Sequence, residues 1–404
     1  MGCRVTLGEI CTINASQYST KEAWTRIQYL DTGNVTRGAI SELQQLDPLI
    51  DKVPSRARRK VKPNSIVYSM VRPNQEHYAL LKKPPTNMLV STGFSVIDAN
   101  ENRVLPSYLY YALTTNQATR GFQTLAEQSV STYPTLSSAD LLAFEIPLPS
   151  LNCQQRIAAV LECLDEKIAT NTKLNGYLEE LFAALFSELI SSRDYSYVPL
   201  TDVIFFQEGP GIRNWQYVYD GDGVNFINIR CIQNHDLDLS KANQISVEEA
   251  YGKYDHFLVK PGDILMSSSG TLGRYAIARQ EHLPLCMNTS VIRFRPLADS
   301  AAYAFVYGYL ISREFYNHLT GMANGSAQVN FGPTHLKKIE VPWPDEDVIR
   351  TFNKMTMPLI ETMNALRSES NKLATLRNTL LPKLMSGEID VSKVDLTQLN
   401  SHLA

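Results

Sequence analysis

The chain says nearly the same thing twice, in the same order, at a separation of almost half its length. Val5, Leu7 and Ile10 return as Val198, Leu200 and Val203, and Val61, Pro63, Ile66 and Ser69 return as Val259, Pro261, Ile264 and Ser267. Leu141, Glu145, Pro147 and Pro149 match Leu336, Glu340, Pro342 and Pro344. Lys173, Leu174, Leu181, Leu185 and Ile190 match Lys372, Leu373, Leu380, Leu384 and Ile389. The offset drifts only between about 193 and 199, far beyond the roughly 20–50 residues of a solenoid repeat. Such a period means two domain-sized copies, each a globular part followed by a helical part. A chain built this way should carry two similar working surfaces.

A length of 404 residues suits two globular domains plus connecting elements. Charge is unevenly spread. Residues 1–150 carry 15 Lys/Arg against 12 Asp/Glu, a net +3, and residues 194–341 carry 12 against 15, a net −3. Overall balance therefore does not advertise nucleic-acid binding, and a duplex binder of this charge needs local basic patches or basic partners. The six cysteines, at 3, 11, 153, 163, 231 and 286, form no Cys-x-x-Cys pair and no zinc-like spacing with histidine. They read as reduced thiols of a cytoplasmic protein. No apolar run is long enough for a membrane span.

Each globular part reads as mixed α/β. Strands are expected at Ser65–Val71, Met88–Asp98, Asp263–Ser268 and Met287–Arg295, and helices at Pro106–Thr114 and Ala301–Ile311. Each part closes on a Pro-x-Pro phrase, Pro147-Leu-Pro149 and Pro342-Trp-Pro344, which stops both helix and sheet pairing. The helical stretch after the first phrase places Ile157, Leu161, Leu164, Ile168, Asn171, Asn175, Leu178, Phe182, Leu185 and Leu189 at alternating three- and four-residue steps. That is either a helix–helix seam interrupted by two asparagines or an amphipathic helix lying on its own domain. A matching helix elsewhere favours the seam: Phe352, Leu359, Met363, Leu366, Leu373, Leu380 and Leu384 form the second line, with Pro358 expected to start its main segment. The expected layout is an α+β chain. A first globular domain spans 1–150, a helical spacer 151–193, a second globular domain 194–344 and a second helical spacer 345–404. The two helices should pack antiparallel.

Chemistry-bearing motifs are mostly absent. The sequence holds no Gly-x-x-x-x-Gly-Lys-Ser/Thr phosphate loop, no His-Glu-x-x-His and no Gly-x-Ser-x-Gly elbow. No catalytic residue and no metal ligand set is assigned. Two glycine phrases in the second copy stand out, Glu208-Gly-Pro-Gly-Ile-Arg213 and Ser267-Ser-Ser-Gly-Thr-Leu-Gly-Arg274. Small residues let backbone amides approach a phosphate, and Arg213 or Arg274 could contact phosphate or a guanine edge, with Ser268, Ser269 and Thr271 beside them. The bland alternative is a pair of ordinary strand-connecting turns. The first copy lacks these glycines. Instead Arg56, Arg58, Arg59, Lys60 and Lys62 place five cations in seven residues, which is either a phosphate-contacting patch or a solvated face.

Two variable copies, each closed by Pro-x-Pro and a long helix, resemble the specificity subunit of type I restriction–modification enzymes. The phrase Leu380-Leu-Pro-Lys-Leu-Met-Ser-Gly-Glu-Ile-Asp-Val391 is similar to that family's C-terminal helical ending. Pro147-Leu-Pro-Ser-Leu-Asn-Cys-Gln-Gln-Arg-Ile157 resembles its approach to the central helix, and Gly270-Thr-Leu-Gly-Arg-Tyr-Ala-Ile277 and Met287-Asn-Thr-Ser-Val-Ile292 resemble phrases of its target recognition domains. Pro344-Asp-Glu-Asp-Val-Ile-Arg350 departs from the family by lacking paired glutamines. The resemblance implies a non-catalytic subunit that binds double-stranded DNA, each recognition domain reading one half of a bipartite asymmetric target while the helices set the unread spacer. It implies methyltransferase partners docked on the helices and translocase–nuclease partners beyond them. S-adenosylmethionine, ATP and Mg2+ would then sit on those partners and no cofactor on this chain. Two other classes fit the residues alone. One is a self-sufficient nuclease; the other is a coiled-coil adaptor whose globular ends bind protein.

Overall fold

The computed structural model describes residues 3–129, 133–192, 195–219, 221–297, 300–321 and 330–394. The chain forms two compact units, one from residues 1–168 with 372–404 and the other from 169–371. Compactness therefore does not follow chain order. Two helices of 41 residues, Leu151–Ser191 and Glu346–Ser386, are each divided between the units. The expected boundary at 193/194 lies outside the described residues.

The two units repeat one topology. In the first, an antiparallel sheet runs in the order Cys11–Ile13, Phe94–Ala99, Ser65–Ser69, Tyr78–Leu81. In the second, the order is Ile204–Glu208, Val291–Pro296, Ile264–Ser267, Tyr275–Ile277. A second sheet accompanies each. Gln44–Leu46, Ile27–Leu30 and Met88–Ser91 in the first unit correspond to Asn243–Ile245, Val224–Ile227 and Leu285–Met287 in the second, with the last two strands of each trio parallel. The fourth strand is added at opposite edges. Ala57–Lys60 pairs beyond Met88–Ser91 in the first unit, whereas Tyr217–Val218 pairs beyond Asn243–Ile245 in the second. Each unit is closed by an antiparallel pair that includes its Pro-x-Pro strand, Cys3–Thr6 with Glu145–Leu148 and Ser196–Pro199 with Glu340–Trp343.

Two expected strands are each two strands. Met88–Asp98 breaks at Thr92-Gly93, and Met287–Arg295 breaks at Asn288–Ser290, so the chain leaves one sheet and enters the other. The flanking residues are buried on both faces, which hides the break from any test of alternation. What turns the backbone is local side-chain bonding. Asn288 Oδ1 accepts from Ser290 N at 3.0 Å, and Ser91 Oγ accepts from Gly93 N at 3.3 Å.

The second long helix also differs from expectation. It runs unbroken through Pro358, whose exposed position leaves the unbonded carbonyl of the preceding turn facing water. Pro382 is likewise contained within it. Within each unit the long helices pack antiparallel. In the second unit Asn171 meets Glu369 (2.7 Å), Glu179 meets Arg367, and Phe186 meets Phe352. In the first, Asp165 meets Arg377 (2.6 Å) and Arg156 Nε donates to Val391 O (2.8 Å).

The buried line of the second helix is Phe352, Thr356, Ile360, Met363 and Arg367, then Leu381, Leu384 and Met385. Phe352, Met363 and Leu384 stand where expected, whereas the expected Leu359, Leu366, Leu373 and Leu380 are half-buried at its flank. Leucine marks the seam's edge because the polar residues at its centre are paired: Thr356 Oγ1 donates to Phe352 O, and Arg367 donates to Glu179. On the first helix Leu161, Asn171, Asn175, Phe182 and Phe186 are buried, with Leu164, Ile168, Leu178 and Leu185 half-buried beside them.

Globular part and helices share one core in each unit. Ile157, Leu161, Leu381, Leu384 and Val391 join Val5, Leu7, Ile66 and Tyr108 in the first. Phe182, Phe186, Phe352 and Met363 join Ile264, Ile292, Phe305 and Tyr307 in the second. Each fully buried aliphatic or aromatic side chain contributes about 1.5–3 kcal/mol, so helices and heads are mutually dependent. A carboxylate on the first helix ties each head down. Asp165 accepts from Tyr111 (2.7 Å) and from Arg377. Glu179 lies 2.9 Å from His235 Nδ1 and accepts from Arg367. Burial alone would raise the Glu179 pKa, but the hydrogen bond and charge of His235 and the charge of Arg367 hold it below the usual carboxylate value.

The packing of helix on head gives a direct test. Gly308, within the helix Tyr303–Ile311, has no room for a Cβ because the Phe186 ring occupies that space. Gly308→Ala should therefore cost about 1–3 kcal/mol through overpacking, read as a lowered Tm in thermal unfolding. Adding Phe186→Leu should recover part of the loss; a G308A variant as stable as the parent would contradict this packing.

Candidate nucleic-acid interface

In the second unit the sheet-switching turn is the point on which the other loops converge. Gly209 is buried against it: a Cβ there would overlap the carbonyls of Met287 and Asn288. Gly211 passes Thr289, a Cβ there lying 3.6 Å from the Thr289 methyl. Only glycine lets the Glu208–Arg213 segment lie this close to the turn. From the other side, Ser268 N donates to Ser290 O (2.9 Å) and Ser268 Oγ to Thr289 O (3.3 Å). A third segment arrives where Ile229 N donates to Ser290 Oγ (3.3 Å), beside Arg230.

The Ser267–Arg274 loop is closed at its base. Ser267 N donates to Arg274 O (2.8 Å), Arg274 N to Ser267 Oγ (3.0 Å), and Ser267 Oγ to Thr271 O (2.6 Å). Gly270 and Gly273 adopt φ of +66° and +74°, the left-handed region that side chains disfavour. The result is a stiff loop with Thr271 and Arg274 at its surface.

The residues named from sequence therefore separate into two groups. Arg213, Thr271 and Arg274 are exposed, with Ser269 half-exposed. Neither arginine forms an ion pair among the described residues. Ser268 is buried and pins the loop to the turn, so it positions the site and does not present itself to a ligand. Arg230, exposed beside the turn, was not found from sequence. Its signal is the Asn228 side chain accepting from Arg230 N at 2.9 Å, a capping pattern within the short connection between two strands. Glu208 at the loop's start is pushed above the ordinary carboxylate range by burial.

The first unit builds the equivalent place from different chemistry. Its turn at Ser91–Gly93 is braced by Thr92 N donating to Arg56 O (2.9 Å), which sets the strand Ala57–Lys60 alongside. The five-cation run does not act as one patch. Arg59 turns inward, donating to Asn14 Oδ1 and Phe94 O, and burial pulls its pKa below the ordinary value. Lys60 pairs with Glu22 and lies 5.2 Å over the Trp24 ring. Lys62 leans 3.6 Å from the buried Asp98. Strand alternation explains Arg59, whose side chain points to the face opposite Arg58 and Lys60. Arg56 and Arg58 remain exposed, Arg58 Nε donating to Ser55 O (3.3 Å).

Among the described residues no three His, Cys, Asp or Glu side chains gather as a metal site, and no helix is long and apolar enough to cross a membrane.

Comparison with known proteins agrees with the duplicated layout. The family described as type I restriction modification DNA specificity domain matches this chain twice, over residues 4–180 and 193–350. A curated relative, the type I restriction enzyme HindI specificity subunit of Haemophilus influenzae, is 24% identical and aligns over 95% of this chain and 98% of its own length. The MjaIX specificity subunit of Methanocaldococcus jannaschii is 21% identical over 86% of this chain and 82% of its own. The crystal structure of the type I restriction–modification S subunit from M. genitalium shares the fold, with a TM-score of 0.57 at 16% identity, covering 95% of this chain and 96% of that one. With one family matched over both copies and relatives aligned nearly end to end, this chain belongs to the type I restriction modification DNA specificity family and is a specificity subunit.

Proposed function

We propose that this chain performs no chemistry and serves as the DNA-reading subunit of a cytoplasmic type I restriction–modification complex. The observation that carries the reading is the repeated site. Two units of one topology place stiff, differently composed loops around the same sheet-switching turn, with exposed arginines in each. Phosphate contacts position such a protein, and base edges read by variable side chains specify its target. Different loops on a common frame then imply two unlike half-sites, one per recognition domain. The long helices would set the unread spacer between them. Reading half-sites from one face of B-DNA requires a centre-to-centre distance of about one turn, roughly 34–36 Å.

A surface for methyltransferase partners is supported by Leu174, Tyr177 and Leu181. These exposed residues fall at three- and four-residue steps on the first long helix, an apolar stripe of the kind a partner helix covers. Translocase–nuclease subunits would join that assembly, with S-adenosylmethionine, ATP and Mg2+ bound by the partners.

Methylation mapping in a host carrying this chain with its partners tests the reading most directly. It should return a split motif with a gap of about 5–8 base pairs. Removing one heptad from one long helix should change that gap or abolish assembly. A continuous motif, or a gap indifferent to helix length, would count against it. Charge contacts give a second test. Arg213→Ala with Arg274→Ala should flatten the slope of log affinity against log salt by about 2. Arg59→Ala should leave the slope alone and instead cost about 1–3 kcal/mol of stability through lost hydrogen bonds. Tyr177→Glu with Leu181→Glu should prevent copurification with the methyltransferase while the Tm stays unchanged. Retained copurification would move the docking surface elsewhere.

A further inference from the structure

Trp215 is 81% exposed, and the turn that carries it is closed by hydrogen bonds. It sits in the turn Asn214–Gln216, where Gln216 N donates to Arg213 O (3.0 Å) and Arg213 N donates to Gln216 Oε1 (2.9 Å). Gln216 Nε2 reaches Glu249 Oε1 (2.9 Å) and Tyr254 Oη (3.2 Å), fastening the turn to the segment behind it. Tyr217 and Val218 then pair with Ile245 and Gln244. Val247 and Tyr251, on the short helix that follows Asn243–Ile245, are also exposed. A flexible loop could hide an indole against the surface. This one holds it in water.

The first unit also carries exposed apolar residues, after the strand equivalent to the one that precedes Val247. Leu49 and Ile50 are 85% and 83% exposed and follow Gln44–Leu46, the strand equivalent to Asn243–Ile245. Their turn is locked as well. Leu49 N donates to Asp47 Oδ1 (2.9 Å), Asp47 N to Asp51 Oδ2 (2.8 Å), and Asp51 N to Asp47 O (2.7 Å). Isolated exposed apolar residues need no explanation. An indole held in water on a turn fastened by side-chain hydrogen bonds does.

The charge around the tips selects the occupant. Trp215 is two residues from exposed Arg213, on the loop whose glycines lie against the sheet-switching turn, whereas Leu49-Ile50 is bracketed by Asp47 and Asp51. An apolar tip beside cations without ion pairs matches a duplex, whose phosphates take the arginines while an apolar side chain enters a base step. We propose that Trp215 is a wedge residue, pressing between stacked bases of the half-site read by the second recognition domain. Specificity at the wedged step then comes from the ease of unstacking, which favours pyrimidine–purine steps, without a hydrogen bond to either base. The proposal rests on the DNA-reading function above.

The test uses the chain assembled with its methyltransferase and a duplex bearing the mapped motif, with 2-aminopurine placed in turn at each position of both half-sites. Bound at saturation, the parent complex should raise 2-aminopurine fluorescence several-fold at one step away from the methylated adenine. W215A should abolish that signal and W215F should keep it, while any signal at the methylated adenine itself persists in both. W215A should also bind roughly tenfold more weakly to the matched duplex, with no penalty when the wedged step is already mismatched. A bound duplex with no responsive step, or a W215A signal equal to the parent's, overturns the wedge and leaves DNA reading intact. Failure of the parent complex to bind the motif overturns both.

Discussion

Each head of this protein is held to its helices by one carboxylate shared three ways. Asp165 accepts from Tyr111 on the head and Arg377 on the opposing helix; Glu179 does the same for His235 and Arg367. Partly buried charge pairs of this kind add little net stability over an apolar replacement, but removing one partner leaves the other without its counter-charge. Their effect is to select one register of helix on helix and one angle of head on helix. A purely leucine seam would tolerate slippage by a heptad, and Asn171 on Glu369 reinforces the choice.

The repeat, the helical character of both spacers and the closure of each head at Pro-x-Pro were legible because each leaves a periodic or compositional mark. The sheet-switching turns were not. Met88–Ser91 and Phe94–Ala99 are buried almost throughout, and two buried strands in sequence look like one. In the second helix Leu359, Leu366, Leu373 and Leu380 fall beside the seam for a related reason. Apolarity locates an unpaired buried position, but Thr356 and Arg367 are inside because their partners are inside, and partners cannot be counted from one strand of sequence. Arg59 shows the same limit within the site: a cation run looks uniform until alternation sends one side chain to Asn14 and Phe94.

The two recognition units also show how one frame accommodates different surfaces. Three strands of the second sheet keep their order, and the fourth is added on whichever edge the local sequence permits. Where the first unit adds a cationic strand, the second adds a short Tyr217–Val218 strand behind glycine loops. Variation is confined to edges and loops, where it alters what is presented without disturbing the shared cores of head and helix.

Division of both long helices between the units has a consequence for biosynthesis. The first unit's core needs Leu381, Leu384 and Val391 against Ile157 and Leu161, and those segments leave the ribosome roughly 200 residues apart. At about 5–20 residues per second, the apolar flank of residues 151–168 waits some 10–40 s for its cover. During that interval the nascent first head is a natural client for chaperones, and maturation of the N-terminal half is gated by the last helix to be translated.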